Sequence, residues 1–395
     1  MQEDMKNSNI KQKMKYRLVF SIIILALVFC SRKGDIQKGI DAIKKGEYLK
    51  AVKSLNTVLK TDSLNSEAHF NLSLAYAHLD STDKSFYHYL KICELESNLR
   101  KDVQLKEMLA NFLNLEPYAS TLISMKRMNQ FKGTFSPDGQ KIVVAAARRD
   151  IANIYLVNLD GSIIKKLTKR GMNTDPDFSP TGKHVVFVSN IDGDEELYLY
   201  DLVSNQIEKL TDNTADDFSP SFSPDGKEIV FVSNMDNIYQ WEIYKINVTN
   251  KKIKRLTKNK YWDGFPKFSS VGKRIVFSSK RKGSEDIYIM KENGGGEKLL
   301  YTSPADENDP MLLNENLFFK SNRDGKWEIY RFNLKNKSLI RLTFNAYPDW
   351  NPRISKDGTK IVVSRKKKKR WLLYFINLNN PVSAELIKAK IKKSK

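Results

Sequence analysis

The chain has only two cysteines, Cys30 and Cys93, so no disulfide framework can organise it. It has four histidines, and three of them, His69, His78 and His88, fall in one stretch of helical pattern. That leaves little for a His-based metal centre. No Gly-x-Ser-x-Gly elbow and no phosphate-binding P-loop occurs, so the usual signals of a serine hydrolase or a nucleotide enzyme are missing. Acidic residues are also scarce: 46 Asp plus Glu stand against 67 Lys plus Arg, a formal net charge of +21. Such an excess points to an acidic partner, a membrane surface or nucleic acid, and says nothing about fold. The long apolar run, 18–29, has 12 residues, short of the roughly 20 that a spanning helix needs.

What is present suffices for packed cores. Of 395 residues, 41% are hydrophobic and 11% aromatic, which argues against wholesale disorder. At roughly 100–200 residues per domain the chain has room for two or three.

The N-terminus reads as a targeting segment over 1–30. Lys6, Lys11, Lys13, Lys15 and Arg17 precede the apolar run, and a basic start followed by a short apolar stretch is the pattern of a secretory signal. Leu27-Val-Phe-Cys30 resembles a bacterial lipobox, with Phe29 where that motif favours a small residue. The resemblance implies a lipidated Cys30 at the mature N-terminus. Cys93 then has no intrachain partner and reads as a buried, inert thiol.

Residues 35–118 carry helical periodicity. Gly46-Glu-Tyr-Leu-Lys-Ala51 opens one helix and Ser66-Glu-Ala-His-Phe-Asn-Leu72 another. The step from Gly46 to Asp80 matches a helix–turn–helix repeat period of about 34 residues. In that frame Ala51 falls on Ser85 and Leu55 on Tyr89. Ala51, Ala68 and Ala75 let helices approach, while Leu55, Leu59, Leu72 and Tyr76 fill the space between. The segment resembles two tetratricopeptide repeats followed by a capping helix over 101–115. A plain helical hairpin spacer is the competing reading.

Residues 119–395 repeat one unit six times. Phe135-Ser-Pro-Asp-Gly, Phe178-Ser-Pro-Thr-Gly, Phe222-Ser-Pro-Asp-Gly, Phe268-Ser-Ser-Val-Gly, a degraded Leu312-Leu-Asn-Glu-Asn and Ile354-Ser-Lys-Asp-Gly begin at steps of 43, 44, 46, 44 and 42 residues. A period of about 40–45 with four strand-like segments is that of propeller blades. Pro-Asp-Gly makes a tight turn, because Pro presets φ and Gly accepts positive φ. An alternating strand follows, then a polar hairpin, then a strand with an Ile/Leu-Tyr pair, then a strand ending in Leu-Thr. A proline precedes the next unit. The repeated string resembles the TolB-type propeller repeat over about 260 residues. That resemblance implies a six-bladed propeller in the bacterial envelope that binds proteins or peptides without catalysis of its own. The fold class expected is therefore mainly β: a six-bladed β-propeller behind an all-α, tetratricopeptide-like module.

In four-stranded blades, alternate loops open on alternate faces. The Pro-Asp-Gly turns share one face with the loops between strands three and four. The hairpins between strands two and three share the other with the inter-blade loops. That second face holds Tyr261 and Trp262 in one inter-blade loop and Tyr347 and Trp350 in another. Its hairpins hold Arg148 and Arg149, Arg323, and the run from Arg365 through Lys366–Lys369 to Arg370. Aromatics beside cations suit protein or peptide recognition. The candidate partner-binding residues are thus Trp262, Trp350, Tyr261, Tyr347, Arg148, Arg149 and Arg323. The competing reading makes the tryptophans caps on the core.

The lysine run has the composition of a nucleic-acid site, but an exported chain does not meet nucleic acid. A solvated hairpin tip, with anionic phospholipid or a polyanion nearby, fits it better. Asp192-Gly-Asp-Glu-Glu has acidic residues but not the spacing of a calcium loop. No metal and no cofactor are expected. The reading is an envelope-resident, lipid-anchored, non-enzymatic scaffold whose partners are envelope proteins or peptides. The alternative is a propeller that takes a carbohydrate or small ligand, with weak hydrolysis.

Overall fold

The computed structural model describes residues 34–394 apart from 96, 150 and 271. The basic-apolar leader and Cys30 lie outside the described residues. The chain divides into two compact units, one of 1–113 with 383–395 and one of 114–382.

The helical unit contains α1 (34–44), α2 (Tyr48–Thr61), α3 (Ser66–His78), α4 (Thr82–Glu94), a 3-10 turn (Asn98–Lys101), α5 (Val103–Phe112) and α6 (Ala384–Ser394). Helix α2 begins at Tyr48 and α4 at Thr82, the same step as from Gly46 to Asp80. Asn65 starts α3 by accepting from Ala68 N at 2.9 Å, and Asp102 starts α5 by accepting from Leu105 N at 2.8 Å. Ala51, Leu55, Leu72 and Ala75 pack α2 onto α3. The other side of α3 meets α4 through polar pairs. Ser73 and Ser85 each donate to the other's carbonyl at 2.8 Å, and His69 and His88 share a 2.8 Å bond between their Nδ1 atoms. Cys93 is buried, and burial pushes its thiol pKa up.

The second unit holds six four-stranded antiparallel sheets. Blade 1 is β2–β5 (Asn129–Phe135, Lys141–Arg148, Ile151–Asn158, Ile163–Lys166). Blade 2 is β6–β9 (Asn173–Phe178, His184–Ser189, Glu196–Asp201, Ile207–Lys209). Blade 3 is β10–β13 (Asp217–Phe222, Glu228–Ser233, Glu242–Asn247, Ile253–Arg255). Blade 4 is β14–β17 (Asp263–Phe268, Arg274–Ser279, Asp286–Lys291, Lys298–Tyr301). Blade 5 is β18–β21 (Glu307–Leu313, Asn316–Ser321, Glu328–Asn333, Leu339–Arg341). Blade 6 is β22–β24 (Asp349–Ile354, Lys360–Lys367, Arg370–Pro381) completed by β1 (Tyr118–Ile123).

The first strand of each blade touches the first strand of the next, around to β2 against β22, so these strands wall a central channel. The cores lie between blades, where alternate residues of the second and third strands interdigitate: Val186, Phe231 and Tyr244 in one, Val230, Phe277 and Tyr288 in the next.

The ring closes from the N-terminal side. β1 pairs with β24, with Thr121 opposite Phe375 and Ile123 opposite Leu373. The C-terminal segment that could have competed for this edge is instead helix α6. Its buried Ala384, Ile387 and Ile391 recur at helical spacing, and Ser383 caps it by accepting from Leu386 N at 3.1 Å. The expected bounds of 35–118 and 119–395 therefore differ from the compact units at both ends, and Ser383–Lys395 groups with the helices.

Candidate functional site: the channel and its two mouths

Each inner strand carries one bulge at the same place. Lys132, Asp175, Ser219, Phe265, Asp309 and Asn351 all adopt left-handed φ of 51–53°. Each lies where the register with the second strand shifts, and each precedes Pro or, in blade 1, Gly133. A bulge re-aims a side chain out of the pleat, so one residue per blade is turned to the channel. Two residues on, Thr134, Asp177, Ser221, Lys267, Met311 and Arg353 form a second layer.

These layers are charged and mostly matched. Lys132 pairs with Asp175, and Arg353 with Asp309 at 2.8 Å. Burial works against ionisation of Asp175, but Lys132, together with Lys267 and Arg353, outweighs it and holds the carboxyl below its usual range. Lys267 donates to Pro220 O at 3.2 Å. Burial, reinforced by Arg353, lowers its pKa to about 8. Burial raises the pKa of Asp177, opposed by Lys267.

Lys320 completes the set from the second strand of blade 5 and is 2% exposed. Its counterparts across from the Ile/Leu of each third strand are Ala145, Val188, Val232, Ser278 and Ser364. Only blade 5 puts a cation there. Its ammonium lies 3.7 Å from the ring centre of Trp350, 4.7 Å from Trp327 and 5.5 Å from Phe265. Burial lowers its pKa to about 8, against Asp309 and Glu285.

One mouth is the turn face. Ser223 Oγ donates to Asp225 Oδ1 at 2.6 Å and accepts from Glu228 N at 3.0 Å. Gly226 stands at φ +75°, where a Cβ is strained. Ser136 with Asp138 and Ser355 with Asp357 repeat this arrangement, and the turns ring a hollow of about 230 Å³.

The opposite mouth is the hairpin face. A cavity of about 240 Å³ opens there, lined by Phe218, Trp241, Trp262 and Phe265 with Lys132 and Asp175 at its base. Trp262 is half-buried and meets Phe265 edge-on, with ring centres 5.7 Å apart. Trp350 is also half-buried, between Trp327 at 5.4 Å and Trp371 at 6.1 Å. Its indole N–H is buried with no acceptor among the described residues. Trp262 thus lines an open cavity, whereas Trp350 belongs to a packed cluster.

Tyr261 is exposed beside Lys260, and Tyr347 is half-buried with Lys367 5.8 Å from its ring centre. Arg148 and Arg149 are exposed at the tip of the β3–β4 hairpin. Arg323 is committed elsewhere. Its guanidinium bonds both oxygens of fully buried Glu307 at 2.7 and 2.8 Å, which holds the hairpin down rather than presenting a free cation.

Sequence reasoning passed over Trp241, Phe218, Lys132 and Lys320, and placed Phe265 in the inter-blade loop of Tyr261 and Trp262 without making it a candidate. The signal for Phe265 and Lys132 was available, since both occupy the repeated position before Pro or Gly. Nothing in the sequence placed Trp241 over the cavity, because it comes from a hairpin of different length.

Comparison with known proteins agrees with this architecture. The PD40 TolB beta propeller domain model matches 169–262 and 242–394, more than half of the chain. A putative TolB from Agrobacterium tumefaciens superposes with a TM-score of 0.52 at 19% identity, over 66% of this chain and 94% of that one. An oligogalacturonate lyase from Vibrio parahaemolyticus superposes at 0.48 with 11% identity, over 66% and 93%. An uncharacterised Agrobacterium fabrum protein is 30% identical over 94 residues, which span 24% of this chain and 32% of that protein's length. At 19% identity the TolB structure speaks to fold alone.

Proposed function

The chain belongs to the TolB beta propeller domain family, and from that premise we propose that it is an exported, lipid-anchored scaffold of the cell envelope. In this reading it binds proteins or peptides at the hairpin-face mouth of its channel and has no catalytic centre of its own. The observation that carries the reading is the cavity under Trp262. Four aromatic side chains surround an opening with an ion pair at its floor. Such a setting buries an apolar peptide side chain while the rim supplies orientation. The helical module, in which α4 repeats α2 at the tetratricopeptide step, serves in this proposal as a second interaction surface. The basic leader and the lipobox-like Cys30 support export and a membrane anchor.

One fractionation experiment tests the proposal. Full-length protein is crosslinked in envelope preparations and recovered, beside Trp262→Ala. An aromatic anchor contributes about 2 kcal/mol or more at a hot spot, so the variant should lose about tenfold or more in partner recovery with an unchanged melting curve. Equal recovery would remove the cavity from the contact. In the same preparations Cys30→Ala should lose incorporation of a palmitate analogue, and equal labelling would dispose of the lipid anchor.

A further inference from the structure

Blades 1 and 6 depart from the other four at the hairpin between the second and third strands. In blades 2–5 both strands have six residues. In blade 1 both have eight, and in blade 6 they have eight and twelve. Each of these two hairpins projects two rungs past the level where the others stop. The extra rungs are Ala147–Ala152 and Arg148–Ile151 in blade 1, and Lys366–Trp371 and Lys367–Arg370 in blade 6. Neighbouring blades thus raise two fingers side by side, tipped by Arg148 and Arg149 and by Lys366–Arg370, all exposed.

The flanking inter-blade loops add Lys126, Arg127, Lys169 and Arg170, also exposed. Strand order puts all four loops on the hairpin face. Asp150 is the only acidic residue in them, and the hairpin of blade 2, with Asp192 and Asp194, bounds the sector.

The local structure is unfavourable for the fold by itself. The hairpin turns of blades 2, 4 and 5 use Gly193, Gly283 and Gly325 at φ 121°, 99° and 85°. Blades 1 and 6 force Arg149 and Lys368 into left-handed φ of 58° and 56°, where an L side chain is disfavoured. Lys367 also stands directly opposite Arg370, and like charges across a rung destabilise a hairpin. The contacts these cations make among the described residues are to neutral groups: Lys366 to the Trp371 ring, Lys367 to the Tyr347 ring and Arg370 to Met128 O. Cations held at a cost, with neutral neighbours, call for an external anion.

Apolar tips identify which anion. Ile151 is 59% exposed, Met172 41% and Ile191 44%, on the same sector. A soluble polyanion has no use for bare isoleucines between cations. A bilayer interface does, since cations meet phosphate headgroups while short apolar side chains reach the acyl boundary.

We propose that the hairpin face of blades 6 and 1, out to the loop that leads into blade 2, is a peripheral docking surface for an anionic phospholipid bilayer. It lies beside the cavity under Trp262 and does not depend on it.

The test is co-sedimentation of the full chain with vesicles of phosphatidylcholine alone and of phosphatidylcholine mixed with phosphatidylglycerol. The leader 1–30, with its apolar run and its five cations, is common to every variant, so its share cancels between the variants and the unaltered chain. With Lys366–Lys369 all changed to Gln, the gain due to phosphatidylglycerol should fall by at least about tenfold, and for the unaltered chain it should fade with added salt. A second variant, Arg149→Gly with Lys368→Gly, relieves the left-handed turns. It should melt no lower than the unaltered chain and still lose anionic binding several-fold, which a purely structural role for these residues would not give. Unchanged phosphatidylglycerol dependence in both variants overturns the proposal. So does a chain that binds heparin yet ignores the charge of the vesicles, since the patch then serves a soluble polyanion.

Discussion

The two mouths of the channel are built from the same six repeats but are not equally alike. At the turn face, Ser136, Ser223 and Ser355 each bond the Asp two residues on, and Gly139, Gly226 and Gly358 all stand at φ 66–75°. At the hairpin face the first-strand residue two before the bulge is Gln130, Asn173, Asp217, Asp263, Glu307 or Asp349 in turn. Hairpin lengths there differ as well. The reason is topological. The turn joins the inner strand to its neighbour within one blade, so its geometry is set by the ladder: five blades keep a glycine at positive φ there (Gly139, Gly182, Gly226, Gly272 and Gly358), and only blade 5 closes instead through a two-residue turn with Asn314 at φ 52°. The hairpin tips extend past the ladder, where length and charge are free to vary. Repetition thus marks what each blade needs to fold, and variation marks where surfaces become individual.

The contrast can be broken first at blade 6. Arg365 meets Asp349 through two bonds of 2.7 and 2.9 Å, and the Asp349 side chain is fully buried. If variation at the hairpin end were mere decoration, Arg365→Ala would be mild. Stranding a buried carboxylate instead costs about 3–5 kcal/mol, and urea unfolding should show a loss of that size.

Lys320 gives an intermediate effect of opposite sign. Its folded pKa of about 8 lies below that of a free lysine. Between that value and about 10.4 the unfolded chain binds more protons, so this residue's contribution to stability rises with pH across that window. Below it, the cost of burying the charge is constant. Lys320→Met should therefore stabilise the protein by about 1–3 kcal/mol near neutral pH. The gap between variant and unaltered chain should close as unfolding is repeated at rising pH, and a gap that does not change with pH would show that the ammonium stays charged in its aromatic surround.

The smallest effect belongs to the turn face. Ser223→Ala removes the bond to Asp225 and the acceptor for Glu228 N, and should cost about 1 kcal/mol. The Ser223 bond holds the Asp225 carboxyl below its usual range, so that side chain's share is present above the ordinary carboxylate range and fades as acid protonates it. A thermal melt at neutral and at acid pH separates the two contributions. A loss as large as that of Arg365→Ala would deny the contrast between the ends.

The blade count, the turns and the order of strands were legible in the residues, because Phe-Ser-Pro-Asp-Gly and the Ile/Leu-Tyr pair recur at a nearly fixed step. Closure was only half legible. Ile123, at the end of Thr121-Leu-Ile, stands as far ahead of Phe135 as Leu210 does of Phe222, yet Ala384–Ala389 reads almost as well as a strand. The buried spacing of Ala384, Ile387 and Ile391 shows why helix wins there. Among the candidate residues, Trp262 stands on an open cavity, Trp350 is packed with Trp327 and Trp371, and Arg323 is committed to Glu307. No sequence pattern separates these, because the partners come from other strands and from neighbouring blades.

By itself, then, the sequence determined what is periodic. Backbone conformation and alternate burial act over a few residues, and their repetition specifies a six-bladed ring behind a helical module. Only the tertiary structure decided what is not periodic: which cations are spent on buried carboxylates, which aromatic opens on a cavity, and which two hairpins stand above the rest. Those outcomes depend on residues far apart in the chain that meet once the ring has closed, through contacts that no local pattern encodes.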